Sequence, residues 1–128
     1  MQRILLKSKI HEARVTGKEL HYAGSLALDE ELMEAADLAC GEQVHVLNVS
    51  NGERIVTYVF PAKKGSGVVS VKGAAARLFD DDDIILVLSY AQYDEDELDA
   101  YSHRIVYVDE KNHLVRVENR TEEDYLSA

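Results

Sequence analysis

Residues 43–60 read Gln-Val-His-Val-Leu-Asn-Val-Ser-Asn-Gly-Glu-Arg-Ile-Val-Thr-Tyr-Val-Phe. Two β-type runs, Gln43 to Val49 and Glu53 to Phe60, flank Asn51-Gly52. Asn-Gly between apolar runs is the strongest short hairpin signal, because both residue types tolerate positive φ. An antiparallel hairpin is therefore expected here. Side chains alternate along a strand, so Arg54 and Tyr58 share a face and Thr57 points to the other.

The pattern continues outward. Ile4 to Val15 is β-type, with Lys7, Lys9 and His11 on one face, and Thr16-Gly17 is expected to break it. Leu20 to Leu28 is extended, interrupted by Gly24. After the Gly65–Gly67 turn comes a short strand, Val68 to Val71. Ile84 to Tyr90 is a continuous apolar strand expected to be buried on both faces. Arg104 to Val108 and Leu114 to Val117 form a last pair around Lys111-Asn112. Helices are few. Glu30 to Ala39 is expected as a helix, with Asp29 as N-cap, Gly41 past its end and a stripe of Leu32, Ala35, Ala36 and Ala39. Gly73 to Leu78 suits one helical turn and Asp94 to Tyr101 an acidic helix. Many short strands with few, short helices predict a mainly β protein built as a compact β-barrel. The barrel is expected over residues 1–117, followed by a loose polar tail over 118–128.

The chain has 128 residues, enough for one domain with a real core. Its net charge of −10 argues against nucleic acid as a partner. The single cysteine, Cys40, excludes an internal disulfide and a CxxC site. The apolar run near the N-terminus is too short for a signal peptide, and no stretch approaches a membrane span. A cytoplasmic protein without a membrane partner is the expectation. The five histidines show no metal-binding spacing, so no metal is expected, and Asp80 to Asp83 lacks the EF-hand pattern. Nucleotide-binding glycine motifs and GxSxG are absent.

Several short segments could carry chemistry. Taken alone, Tyr22-Ala23-Gly24-Ser25 reads as a glycine turn before a strand. It also permits self-cleavage. A serine hydroxyl can attack the carbonyl of the preceding residue, turning amide into ester, and glycine lets the backbone bend for it. Elimination of the ester would leave dehydroalanine, which hydrolyses to a pyruvoyl group and ammonia. Arg54 could clamp a carboxylate and Tyr58 donate a proton, or both could be ordinary strand residues. Lys9 and His11 share a face and could meet an acidic substrate, or be surface charge. The small residues of Gly73-Ala74-Ala75-Ala76 suit a packing corner or the close approach of a ligand.

Together these segments are far more specific than any one of them. Lys9-Ile10-His11, Leu20-His21-Tyr22-Ala23-Gly24-Ser25, Asn51-Gly52-Glu53-Arg54, Thr57-Tyr58 and Gly73-Ala74-Ala75-Ala76 stand in the order and spacing of the pyruvoyl-dependent aspartate 1-decarboxylases. The chain resembles that family over about residues 1–117. The resemblance implies a double-psi β-barrel and a homotetramer with active sites between subunits. It implies cleavage between Gly24 and Ser25, with Thr57 holding the Gly24 carbonyl and Ser25 becoming a covalent pyruvoyl cofactor. Pyridoxal phosphate would not be needed. The pyruvoyl ketone would form a Schiff base with L-aspartate, and loss of the α-carboxylate would give β-alanine for pantothenate biosynthesis. Tyr58 would return the proton, Lys9, His11, Arg54 and Thr57 would contact the substrate, and Gly73, Ala74 and Ala75 would line its pocket.

Two positions depart from the family. Lys72 stands where asparagine is usual, so an acceptor is lost and a charge gained. It is expected to slow self-cleavage more than it alters substrate choice, and an acidic neighbour should offset its charge. Asp82-Asp83 replaces the usual Gly-Asp before Ile84, a local turn change. Lys72 also leaves open a pyruvoyl decarboxylase for another acidic amino acid. A non-catalytic binding barrel is the remaining alternative; it would stay at full length, whereas either enzyme would be cut.

Overall fold

The computed structural model describes residues 1–21 and 24–127. Nine strands carry it: β1 (Gln2–Arg14), β2 (Gly17–Glu19), β3 (Ser25–Asp29), β4 (Gln43–Asn48), β5 (Arg54–Ala62), β6 (Val69–Lys72), β7 (Ile84–Asp94), β8 (His103–Val108) and β9 (Leu114–Arg120). Two short α-helices, α1 (Glu30–Ala35) and α2 (Glu122–Leu126), and 3-10 turns at Ala74–Leu78 and Glu95–Ala100 complete it. The fold is mainly β and barrel-like, as the sequence predicts.

The strands pair in the order β2-β6-β3-β5-β4-β7-β1-β8-β9. As a ladder this sheet is open, but β1 and β2 are separated only by Val15 and Thr16. Thr16 N–H donates to the Val69 carbonyl at 2.8 Å, and Val15 N–H to the Asp83 carbonyl at 2.9 Å. The chain running from β1 into β2 thus joins the two ends of the run β6-β3-β5-β4-β7-β1. Thr16-Gly17, expected to break the strand, bends it instead. Three pairings are parallel, β1 with β8, β2 with β6 and β3 with β5.

Alternation decides what fills the barrel. Ile10, Leu26, Val44, Val46, Val59, Val71, Ile85 and Val87 are all fully buried. Ile10, Val46 and Val87 are register partners across the ladder, as are Leu26, Val59 and Val71, and Val44 and Ile85 lie two residues along from Val46 and Val87 on the same face. Partners across a ladder share a face, so this row is the inner wall and the residues between them form the outer wall. Burying such side chains contributes about 1.5–3 kcal/mol each before conformational entropy opposes it. On β7, the outward Leu88 is also buried, so this strand is covered on both sides for part of its length, as its apolar run predicts.

The hairpin forms, with Leu47 opposite Arg54. Its loop is longer than a two-residue turn, and of Asn51 and Gly52 only the glycine takes positive φ, at 79°. The asparagine side chains hold the rest. Asn48 Oδ1 accepts from Ser50 N–H and Asn51 Oδ1 from Glu53 N–H, each at 2.9 Å.

Asp29 caps α1 as expected, its carboxylate accepting from Glu31 N–H at 2.9 Å. It also accepts from Gly65 N–H and Gly67 N–H, which fastens the loop before β6. The helix is shorter than its sequence suggests. It stops at Ala35 because Asp37 takes φ 56°, and Leu38 N–H reaches back to the Met33 carbonyl. Leu32, Met33 and Ala36 are buried, while Ala39, expected in the stripe, is exposed. Asp82 adopts φ 70°, the left-handed conformation that glycine would take more cheaply, and donates to the Val15 carbonyl. The acidic 94–101 segment is a 3-10 turn rather than an α-helix. Among the described residues, no helix is long and apolar enough to cross a membrane.

At the C-terminus, β9 continues to Arg120 and α2 follows, capped by Thr121 and Asp124. Tyr125 Oη lies 2.9 Å from His103 Nε2, so the polar end of the chain is tied back to β8.

Candidate active site

Ser25 opens β3 and is buried, with 5% of its surface exposed. Gly24 before it takes φ 98°, a conformation closed to most L-residues. Tyr22 and Ala23, the first half of the motif, lie outside the described residues. Ser25 stands directly opposite Lys72 in the antiparallel β3–β6 pair. On its other side β3 runs parallel to β5, with Leu26 beside Val59, so Tyr58 lies on the outer wall next to Ser25. Ser25, Tyr58 and Lys72 therefore converge from three strands onto the outside of the barrel. They line a cavity of about 540 Å³ together with Gly24, Ala27, Phe60 and Pro61. A Cβ placed on Gly24 would come within 3.8 Å of Tyr58 Oη, which puts the phenol at the Gly24-Ser25 bond. Tyr58 also packs edge-on against Phe60, ring centroids 5.7 Å apart.

The acidic neighbour expected for Lys72 is Glu19. Lys72 Nζ lies 3.1 Å from Glu19 Oε2, and Glu19 is held there by the parallel β2–β6 pair. Gly73 N–H donates to the Glu19 carbonyl at 2.7 Å, fixing the turn that follows. Gly73 takes φ 83° and is buried, Ala74 is exposed and Ala75 half-buried, at the edge where β6 leaves the wall. Thr57 faces inward on β5, opposite Val44, on the other side of the strand from Tyr58.

The remaining candidates are elsewhere in the same chain. Lys9 lies on β1, in the cross-strand row Lys9-Leu88-His45-Val56. Three strand spacings of roughly 4.8 Å, about 14 Å, separate it from β5. His11 packs edge-on against Tyr107 at 5.7 Å, and its Nε2 lies 3.7 Å from Glu12. Arg54 starts β5 on the same face as Tyr58, its Nη1 3.0 Å from His45 Nδ1. The sequence reading missed Glu19, Ala27, Phe60 and Pro61. Phe60 had a signal, since it shares the Arg54–Tyr58 face, whereas Glu19 reaches Lys72 only through a non-local parallel pairing.

A family model described as aspartate decarboxylase matches residues 1–115. The chain belongs to the aspartate decarboxylase family. Among curated relatives, the aspartate 1-decarboxylase of Chromobacterium violaceum is 49% identical over 94% of this chain and 96% of its own. That of Mycolicibacterium smegmatis is 46% identical over 91% of this chain and 86% of its own. Aspartate 1-decarboxylase 2 of Polaromonas is 46% identical over 94% and 95%. The chain is an enzyme of the decarboxylase class, like these family members.

Other clusters of metal-ligand type offer little. Asp94, Asp96 and Glu97 come together but are all exposed, and the Glu97 carboxylate accepts from Asp94 N–H in a helix cap.

Proposed function

We propose that the chain decarboxylates L-aspartate to β-alanine and carbon dioxide after cutting itself between Gly24 and Ser25. The observation that carries the reading is the placement of Ser25, buried, behind a positive-φ glycine and beside Tyr58 in one cavity. In the cleavage step, Ser25 Oγ attacks the Gly24 carbonyl carbon, the C–N bond breaks and an ester forms. Elimination releases the Gly24 carboxylate, and hydrolysis of the resulting dehydroalanine yields the pyruvoyl group and ammonia. The positive-φ glycine fits this chemistry, as does a serine shielded from bulk water. Thr57 is assigned to the Gly24 carbonyl on the strength of the family resemblance.

A pyruvoyl group at residue 25 supplies the electron sink that decarboxylation requires and that unmodified side chains lack. The chain's own residues do the rest. Tyr58 holds its phenolic proton beside residue 25 and delivers it to the carbon that lost carboxylate. Lys9, His11 and Arg54 bind the substrate's polar groups, and Gly73, Ala74 and Ala75 leave room for it. Lys9 and Arg54 lie away from Ser25 in one chain, which favours their serving a neighbouring copy's site in a homotetramer. Val56, Tyr58 and Phe60, all substantially exposed along β5, give that assembly an apolar contact surface. The product would feed pantothenate synthesis in the cytoplasm.

Intact mass spectrometry tests the reading. Two fragments are expected, residues 1–24 and residues 25–128, the second blocked at its N-terminus. A single full-length species, or a free serine at residue 25, would refute it. Light scattering should show four copies of the 14.4 kDa chain; a fully active monomer would refute the shared site.

A further inference from the structure

We propose that the Lys72 ammonium receives a carboxylate of the substrate at the Ser25 cavity, and that Glu19 holds its place until the substrate arrives. This rests on the aspartate decarboxylase reading above and adds a binding residue supplied by the same chain as Ser25.

Of the described residues lining the cavity, Lys72 alone carries charge; Gly24, Ser25, Ala27, Tyr58, Phe60 and Pro61 are neutral. A dicarboxylate entering such a space loses water from each carboxylate, a cost that a nearby cation must offset. Lys72 is directly opposite Ser25, a pairing that places Cβ atoms about 4.5–5.5 Å apart. Within the same chain, the Arg54 guanidinium is turned to His45, and along the ladder Lys9 is three strands from β5 and four from β3.

The ion pair has an asymmetry that suits exchange. The Lys72 side chain is 23% exposed and that of Glu19 54% exposed. Glu19 can swing into water at little cost, because an ion pair this exposed contributes little to stability. Lysine stays at the cavity wall. The incoming carboxylate offers the same charge-assisted hydrogen bond in a drier setting, where it is stronger. Lys72 thus remains neutralised in both states, by its own chain at rest and by the ligand when occupied. The ligand class that follows is a short dicarboxylate.

Succinate, which has both carboxylates of aspartate but no amine, is the probe, titrated calorimetrically into the processed protein. Lys72→Met should weaken succinate about tenfold, as expected for losing a charge-assisted contact. Glu19→Gln should tighten it about two- to fivefold, because the competing anion is gone. A structural lesion would weaken binding instead, so the opposite sign isolates Glu19's role as a positioning residue. An unchanged affinity in Lys72→Met, or an unchanged or weaker one in Glu19→Gln, overturns the inference. If Lys72→Met fails to fold, Glu19→Gln decides alone. Mass spectrometry of each variant keeps the two readings apart. Normal fragments and aspartate turnover with succinate indifferent to Lys72 sink this inference only, whereas a chain that is never cut sinks the cleavage reading.

Discussion

Ser25 and Lys72 face each other across the β3–β6 ladder, one at the proposed cleavage point and the other carrying the single charge among the described residues lining its cavity. Replacing Lys72 with asparagine removes that charge and restores a hydrogen-bond acceptor beside the Gly24-Ser25 bond. Cleavage of freshly expressed Lys72→Asn should be about fivefold faster, the equivalent of roughly one hydrogen bond gained. Aspartate should still be preferred over glutamate. Timed mass spectrometry of the two fragments checks the first expectation, and competition between the amino acids checks the second.

Gly24→Ala should slow cleavage by about tenfold. The added Cβ meets Tyr58 Oη at 3.8 Å, an ordinary contact, so the cost lies in the backbone. A φ of 98° penalises alanine by about 1–2 kcal/mol, and the chain relaxes away from the attack geometry. Full-length chain persisting in Gly24→Ala preparations would show this; cleavage at the normal rate would mean that the positive-φ conformation is not used.

Tyr58→Phe keeps the ring and its packing on Phe60 but removes the proton. Fragments should form normally, while kcat for aspartate falls by about a hundredfold or more and KM changes little. A large rise in KM with unchanged kcat would make Tyr58 a binding residue instead.

His103 makes stability depend on pH. It is buried, its Nε2 meets Tyr125 Oη, and its Nδ1 has no hydrogen-bond partner among the described residues. Burial first, then the positive charges of Lys9 and Arg120, push its pKa below the ordinary 6.5, with Asp124 opposing. The unfolded chain therefore takes up the proton first as pH falls. His103's contribution is complete above about pH 6.5, declines below it, and levels off once pH passes beneath the depressed folded value. Asp83, Asp109 and Glu118, all with lowered pKa, lose their contributions at more acidic pH, starting near their unfolded values. Urea midpoints measured between about pH 7.5 and 5.5 should drop for the unaltered chain and drop less for His103→Gln. Equal slopes would contradict the assignment.

Local chemistry was readable from the sequence, whereas long-range pairing was not. Asp29 declared itself as a cap by position, and Asn51-Gly52 declared a hairpin. The additional duty of Asp29 toward Gly65 and Gly67 depends on a loop that returns from 36 residues away. Asp37 ended α1 early by adopting a conformation that its residue type only tolerates, with the buried Leu38 directly after it. The Lys72–Glu19 contact needs β2 to lie parallel to β6, and no periodicity in either segment encodes that partner. Ser25 and Tyr58 could be paired beforehand only through resemblance, since 33 positions separate strands that periodicity alone cannot align.

The bend from β1 into β2 bears on what the protein becomes once cut after Gly24. The shorter piece would carry β1, the strand clasped between β7 and β8, and β2, which pairs with β6. It could not leave without opening the wall. Maturation would thus turn one polypeptide into an interlocked heterodimer held without a covalent link. Unfolding would then separate two molecules, and recovery would require them to meet again. The precursor would refold in a first-order reaction, whereas the mature form would refold at a rate set by concentration. The order of events would then be fixed: fold, close the wall, and only then cut.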